Sequence, residues 1–265
     1  MQCPLRIMAA VLVAGIMFCL PPETGKADCR EPAVKITDEM RQIEFARINY
    51  DDEADPYYGY IKGSIPVLIS APHGAKHFRT AEGVWKEADA YTSSLAIVLG
   101  RLTGAHVLFV KNKTEEDPNN DAGTTYKKAL EKVVKENHIK FVLDLHGCEA
   151  RRPFKIDVGI IHASRSLCSC PSYRDVMEEV FAGFEPRIFN QRFSAATEGT
   201  ITCFARNSLN IEAAQIEINA NYRIVEGKTT GFRADPRNVL DLVERLRRVI
   251  VAIDKKITED RAGNG

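Results

Sequence analysis

The sequence predicts an α/β fold in which a mostly parallel or mixed sheet is flanked by helices. Three observations support this prediction. Short apolar runs recur along the chain, segments with the spacing of an amphipathic helix lie between them, and polar side chains follow several of the runs. Strands that alternate with helices are typical of a sheet covered on both faces. Ligands of such sheets bind beyond the strand ends, so the polar side chains there are candidates for function.

The individual elements follow from these runs. Strands are expected at residues 65–70, 106–110, 141–145, 156–162 and 214–218. Helices are expected at residues 87–102, 124–137 and 171–184, and from Asp235-Pro236 onward. Residues 28–60 are predicted to be an amino-terminal extension that covers part of the core, residues 61–258 a single α/β domain, and residues 259–265 a flexible tail.

The composition excludes several classes of protein. The chain has 265 residues, 45% of them hydrophobic, which is enough for one sizeable core. The 36 Lys and Arg residues balance the 36 Asp and Glu residues, so the broad basic face of a nucleic-acid-binding protein is not expected. Aliphatic runs throughout the chain argue against disorder.

The amino terminus has the layout of a secretory signal peptide. Arg6 precedes an apolar run at residues 8–20, and small residues lead to Ala27. The run is shorter than the roughly 20 residues that a spanning helix needs. We therefore expect a signal peptide at residues 1–27, export to the periplasm or the extracellular space, and no stable membrane span after cleavage. An uncleaved anchor and lipidation at Cys19 are the alternatives.

The cysteines predict disulfides in the exported chain. Five remain after cleavage, namely Cys29, Cys148, Cys168, Cys170 and Cys203. This odd number predicts up to two disulfides and one free thiol, with the connectivity open.

Two histidines are candidate metal ligands. His73 and His146 each leave an apolar run into a turn that contains glycine, where an imidazole can point into a cleft. A carboxylate would complete a catalytic zinc set, and Glu87 and Asp89 both offer one. We choose Glu87 as the ligand and expect Asp89 to act behind it. His77, four residues after His73, is a rival ligand.

Glu217 is the candidate general base. Strand alternation places it on the opposite face from its two isoleucine neighbours, and a carboxylate within a core segment must be paired or employed. It would deprotonate a metal-bound water and later protonate the leaving amine. The alternative is an ion pair with Arg206 or Arg223. Asp144, two residues before His146, has the spacing to orient that ligand.

Several segments, taken in order, resemble the N-formylglutamate amidohydrolase family, which is distantly related to the zinc carboxypeptidases. They are Ser70-Ala71-Pro72-His73-Gly74, Glu87-Ala88-Asp89, Asp117-Pro118-Asn119, Asp144-Leu145-His146-Gly147 and Gln215-Ile216-Glu217-Ile218-Asn219 with Tyr222-Arg223. The resemblance implies a phosphorylase/hydrolase-like fold and one zinc ion that activates water to hydrolyse an amide or peptide bond. By position it makes His73, Glu87 and His146 zinc ligands, Glu217 the base and Asn119 a substrate contact.

The substrate is expected to be a small molecule or a peptide. Arg206 and Arg223, with Arg79, are candidate clamps for a substrate carboxylate, because a guanidinium binds one bidentately. The family commonly has Asn followed by Arg for this purpose, whereas this chain has Asn119-Asn120. That difference argues against N-formylglutamate itself, and the signal peptide favours a peptide or cell-wall fragment outside the cytoplasm.

Two other functions compete with the hydrolase. One is a catalytically inactive exported module that binds a peptide or a cell-wall fragment in the same cleft. The other is a thiol enzyme that uses Cys148, which closely follows His146.

Overall fold

A computed structural model describes residues 30–160, 173–193, 198–228 and 230–262, with side chains from residue 35 onward. The predicted signal peptide lies outside these residues, as do Cys19, Cys29, Cys168 and Cys170. None of the helices in the described ranges is both long enough and apolar enough to cross a membrane.

The centre of the fold is a seven-stranded mixed sheet with the strand order β1-β5-β2-β6-β9-β7-β8. Its strands are β1 (Tyr58–Ile61), β2 (Val67–Ala71), β5 (His106–Val110), β6 (Phe141–Cys148), β7 (Ile156–Ile160), β8 (Arg187–Phe189) and β9 (Glu212–Asn219). Strands β5, β2, β6 and β9 are parallel neighbours, whereas β1 and β7 pair antiparallel with β5 and β9. A separate hairpin is formed by β3 (His77–Arg79) and β4 (Val84–Lys86). The predicted fold class is confirmed.

Helices cover both faces of the sheet. The described helices are α1 (Arg30–Arg47), α2 (Thr92–Thr103), α3 (Thr125–Glu136), α4 (Tyr173–Val180), α5 (Ile201–Asn207) and α6 (Pro236–Ala262). Buried side chains of α1, α2, α4 and α6 form one apolar cluster with one face of the sheet. Those of α3 and α5 form a second cluster against the other face.

Some predicted boundaries differ from the structure. Within the segment predicted as an extension, Met40 of α1 is fully buried and α1 packs on α2 and α6, so its described residues contribute to the core. Helix α2 begins at Thr92 rather than at Glu87, after Tyr91 with a positive φ of 69°. Helix α6 continues through Ala262, so residues 259–262 are helical and not a flexible tail.

The disulfide prediction does not hold for the described cysteines. Cys148 and Cys203 are both buried free thiols. The three remaining cysteines after residue 27 can form one disulfide at most, and they lie outside the described residues.

Candidate active site

The site occupies the carboxyl-terminal half of one sheet face. On the face toward α1, α2 and α6, the side chains of Leu143 and Leu145 in β6 and of Ala214, Ile216 and Ile218 in β9 are apolar. The opposite face starts apolar, with Val142 and Ala213 packed near α3 and α5. It then becomes polar at Asp144, His146, Gln215 and Glu217, all of them buried. Because β6 and β9 run parallel and pair His146 with Glu217, these polar side chains lie side by side.

Three ligand atoms converge at the ends of these strands. Nδ1 of His73 and Nδ1 of His146 each lie 3.5 Å from Oδ2 of Asp89, which thus stands between the two rings. All three atoms lie within 4.8 Å of one another. In a tetrahedral zinc site with bonds of about 2.0–2.1 Å, neighbouring ligand atoms are about 3.3–3.4 Å apart. Small side-chain rotations would therefore bring this set to zinc-binding geometry.

A second carboxylate holds the far nitrogen of each ring. Nε2 of His73 lies 3.0 Å from Oδ1 of Asp117, and Nε2 of His146 lies 2.9 Å from Oδ2 of Asp144. Both carboxylates are fully buried. Such partners orient metal-binding histidines and keep Nδ1 free as the ligand atom. The predicted role of Asp144 beside His146 agrees with this contact.

The pKa values show how the central groups interact. Burial disfavours the charged form of each. Hydrogen bonds with Asp117 and Asp89 nevertheless raise the pKa of His73, and the Asp144 carboxylate raises the pKa of His146 well above its usual value. Contacts with both histidines hold the pKa of Asp89 well below its usual range. The surroundings therefore favour positive charge at the two Nδ1 positions.

Glu87 is not brought together with the histidines. Its side chain is 82% exposed, and Oε1 lies 3.2 Å from Nζ of Lys76. Asp89 takes the predicted place of Glu87 because its backbone N–H donates to the carbonyl of His73 at 2.8 Å, which fixes the segment beside that ring. The order of the two acids given in the sequence analysis is thus reversed by the geometry.

His77 is stacked on His73 rather than set to share a metal with it. The ring centroids are 3.9 Å apart and the planes differ by 2°. His73, His77 and Asp117 also bring three ligand atoms within 4.8 Å. The in-plane lone pairs of two parallel rings, however, lie in two parallel planes, so they do not point toward one ion. Burial and the neighbouring His73 lower the pKa of His77 to about 3, so it is neutral.

Glu217 lies in the same cluster, and its buried carboxylate has no hydrogen-bond or ion-pair partner among the described residues. Its exposed fraction is 5%. Burial raises its pKa to about 7, although the positive charge at His146 opposes the shift. Neither arginine considered in the sequence analysis pairs with it, since Arg206 contacts Glu212 and Arg223 contacts backbone carbonyls. A carboxylate with a pKa near 7 is suited to accept and donate protons at neutral pH.

These groups line a cavity of about 420 Å³. Of the predicted residues, His73, Asn119, His146 and Glu217 line it. Oδ1 of Asn119 accepts a hydrogen bond from the backbone of Ile201 at 2.9 Å, which ties the loop after Asp117 to the start of α5.

Two of the three predicted arginine clamps, Arg206 and Arg223, do not line the cavity. Arg206 pairs with Glu212, which begins β9, whereas the cavity lies at the other end of that strand. Arg223 is 4% exposed and lies beneath the cavity. Arg79, which the sequence analysis also considered, does line the cavity, and its Nε lies 3.2 Å from Oδ2 of Asp117.

Two arginines that line the cavity, Arg152 and Arg192, were not predicted from the sequence. Arg152 lies between β6 and β7, and Arg192 follows β8. Oδ2 of Asp157 accepts hydrogen bonds from the backbone N–H groups of Arg192 and Phe193, at 2.8 and 2.9 Å. The Arg152 guanidinium lies 5.5 Å from the centroid of the Phe193 ring. Neither arginine lies within 4 Å of a carboxylate in the described ranges. No periodic pattern marks such loop residues.

Cys148 also lines the cavity, but it does not resemble a nucleophile. Burial raises the pKa of its thiol to about 12, and the charge of Glu217 adds to the shift. A reactive cysteine requires the opposite change, because the thiolate is the nucleophile. The raised pKa of Cys148 therefore argues against the prediction of a thiol enzyme.

Comparisons with known proteins identify the fold. No protein-family model matches the sequence, and no curated protein matches it. Among solved structures, N-formylglutamate amidohydrolase from Ralstonia eutropha JMP134 is similar, with a TM-score of 0.51 at 14% identity over 77% of this chain and 98% of that chain. The gene product Atu2144 from Agrobacterium tumefaciens also has a TM-score of 0.51, at 12% identity over 77% of this chain and 96% of that chain. These matches show a shared fold and confirm the predicted hydrolase-like architecture.

Proposed function

We propose that this protein is a zinc-dependent amidohydrolase that hydrolyses an amide or peptide bond with Glu217 as the general base. One observation carries the proposal: three ligand atoms from His73, Asp89 and His146 converge beside a buried, unpaired carboxylate in a cavity. The fold shared with an N-formylglutamate amidohydrolase supports the same class of reaction. Fold alone does not define function, so the residues of the site carry the argument.

The residues fit a zinc ion by chemistry as well as by distance. Two imidazoles and one carboxylate are the ligand types of catalytic zinc sites, which keep one position for water or substrate. Asp117 and Asp144 supply the outer hydrogen bonds that such histidines need. A bound zinc ion would polarise the substrate carbonyl and lower the pKa of water.

The remaining chemistry belongs to residues of the chain. Water attacks the amide carbonyl carbon, and the Glu217 carboxylate takes a proton from that water. The C–N bond breaks as the same proton passes from Glu217 to the leaving nitrogen, which departs as an amine. The cavity wall holds the substrate, and we assign its carboxylate to Arg152 and Arg192 in place of Arg206 and Arg223.

The test measures zinc content and hydrolysis on the same preparations. The mature chain from residue 28 is loaded with zinc, freed of excess and assayed for amine release from N-acyl amino acids and short peptides. We expect about one zinc ion per chain. His146→Ala should lose zinc, whereas Glu217→Gln should keep zinc and lose turnover by at least about 100-fold.

The matched control is Glu212→Gln, which alters a glutamate at the opposite end of the same strand. It should retain both zinc and activity. Full turnover in Glu217→Gln would refute the proposed base. No bound zinc and no hydrolysis in the wild-type protein would instead favour the inactive binding module.

A further inference from the structure

Arg223 is a buried cation with an unusual set of partners. Its Nε donates to the carbonyl of Ile218 at 3.1 Å, Nη2 donates to the carbonyl of Cys148 at 3.2 Å, and Nη1 donates to the carbonyl of Ala90. Its exposed fraction is 4%, and its partners in the described part of the chain are backbone carbonyls rather than carboxylates. Burial of a cation is unfavourable unless its donors are well satisfied.

The three carbonyls belong to three of the four segments that carry the site, namely those of Asp89, His146 and Glu217. Ala90 follows Asp89, Ile218 follows Glu217, and Cys148 lies two residues after His146. These segments are remote in sequence, and β6 and β9 pair directly through their ladder. One rigid guanidinium therefore fixes the distances among the segment of Asp89, the segment of His146 and the strand that carries Glu217. A planar group with several donors holds such a geometry better than a flexible ammonium does.

Gly147 shows how closely the clamp approaches the site. A Cβ atom at this position would lie 2.3 Å from Cζ of Arg223. The glycine after His146 is thus required by the guanidinium that passes behind it. The cavity itself lies on the other side of this backbone, which explains why Arg223 does not line it.

We propose that Arg223 is a positioning residue that sets the zinc-binding geometry by holding the backbone beside Asp89, His146 and Glu217. The inference rests on the proposed zinc site. It assigns to Arg223 a role that differs from the substrate contact predicted from the sequence. Because the residue acts through backbone positions, its loss should change the affinity for zinc without removing any ligand.

Arg245 provides a matched control. Its Nη1 also donates to two backbone carbonyls, those of Val180 at 2.8 Å and Ala182 at 3.1 Å, and Nε donates to Asp241 at 2.9 Å. Its side chain is 18% exposed. It therefore links α6 to the carbonyls at the end of α4, and it contacts no segment of the site. A change there should reduce stability in a comparable way.

The experiment measures zinc dissociation constants by competition with a chelating dye, alongside thermal melting of the zinc-free chain. The variants are Arg223→Gln and Arg245→Gln. We expect Arg223→Gln to raise the zinc dissociation constant by about tenfold or more, in the range seen when outer contacts of ligands are lost. Arg245→Gln should leave it within about twofold of the wild type at a similar loss of melting temperature.

Each other outcome decides against the inference. Equal zinc affinity in Arg223→Gln and wild type, or equal weakening in both variants, overturns the positioning role while the proposed zinc site stands. If Arg223→Gln does not fold, Arg223→Lys is measured instead, because it keeps the positive charge but not the planar group with several donors. Unchanged zinc affinity in Arg223→Lys likewise overturns the positioning role. A wild-type chain that binds no zinc overturns the proposed function and this inference together.

Discussion

The two carboxylates behind the histidines lead to different predictions when each is changed to asparagine. Asp144 has one hydrogen-bond partner in the described part of the chain, Nε2 of His146, and its Oδ1 is buried without a partner. Asp117 accepts five hydrogen bonds. They come from Nε2 of His73, the backbone N–H groups of Asn119 and Asn120, Nδ2 of Asn120 and Nε of Arg79. The first carboxylate serves one ring, whereas the second also builds a loop.

The magnitudes follow from these contacts. In Asp144→Asn the retained oxygen can still accept from His146, so one charge-assisted bond becomes a neutral one, a loss of about 1 kcal/mol. In Asp117→Asn the new amide faces two donors, Arg79 and Asn120, and each loses an acceptor. At about 1.5–3 kcal/mol for each hydrogen bond to a charged group, the loss of two is about 3–6 kcal/mol. Both variants should weaken zinc binding by about 10- to 100-fold.

Two measurements separate the effects. Urea unfolding of the zinc-free protein gives the change in stability, and chelator competition gives the zinc affinity. Asp38→Asn is the control, since this exposed carboxylate only approaches Arg41 at 4.0 Å. Similar destabilisation by Asp144→Asn and Asp117→Asn would show that the hydrogen bonds of Asp117 do not support the loop. Unchanged zinc affinity in Asp144→Asn would refute the orienting role of these carboxylates.

Two further predictions concern the cavity wall and the core. Arg192→Gln should raise KM about tenfold for a substrate with a free carboxylate but not for its carboxamide, because one charge-assisted hydrogen bond is lost. The control Arg151→Gln changes a side chain that is 83% exposed and should leave both KM values unchanged. Equal effects of Arg192→Gln on both substrates would contradict the assignment. Burial raises the pKa of Glu44, so the folded chain binds more protons than the unfolded chain above about pH 4.5, and stability falls as pH rises toward the folded-state pKa. In urea unfolding, the free energy of unfolding of Glu44→Gln relative to wild type should therefore increase as pH rises above about 4.5. A difference between the two proteins that does not change with pH would contradict the linkage.

The strand-end residues were predictable because their position follows from local pattern. Apolar runs that end in a histidine, and a glutamate alternating with isoleucines, place His73, His146 and Glu217 at one edge of a parallel sheet. The structure brings these three to one cavity. Parallel strands align their carboxyl ends, so this part of the site needs no long-range information beyond strand order.

Other parts of the site depend on contacts that no local pattern records. Glu87 and Asp89 are two residues apart, and only the hydrogen bond between the backbone of Asp89 and that of His73 decides which acid faces the rings. Helix α1 was missed because its buried face includes Thr37 and Glu44 beside Met40, which breaks the apolar spacing. The backbone of Arg192 is held by Asp157 and that of Arg152 by the side chain of Asn219, and both partners are far away in sequence.

The polar half of this sheet face is unfavourable for folding taken alone. Asp144 on this face and Asp117 in the loop beside it are fully buried, and Glu217 is nearly so. Apolar residues of similar volume would pack at these positions without the cost of removing a charge from water. The carboxylates stabilise positive charge between them, which is why the pKa values of His73 and His146 are raised despite burial. A cation coordinated at both Nδ1 atoms would receive the same stabilisation and would displace the two protons. The electrostatic arrangement is thus already complementary to a metal ion, and this complementarity connects the fold to the hydrolysis proposed for it.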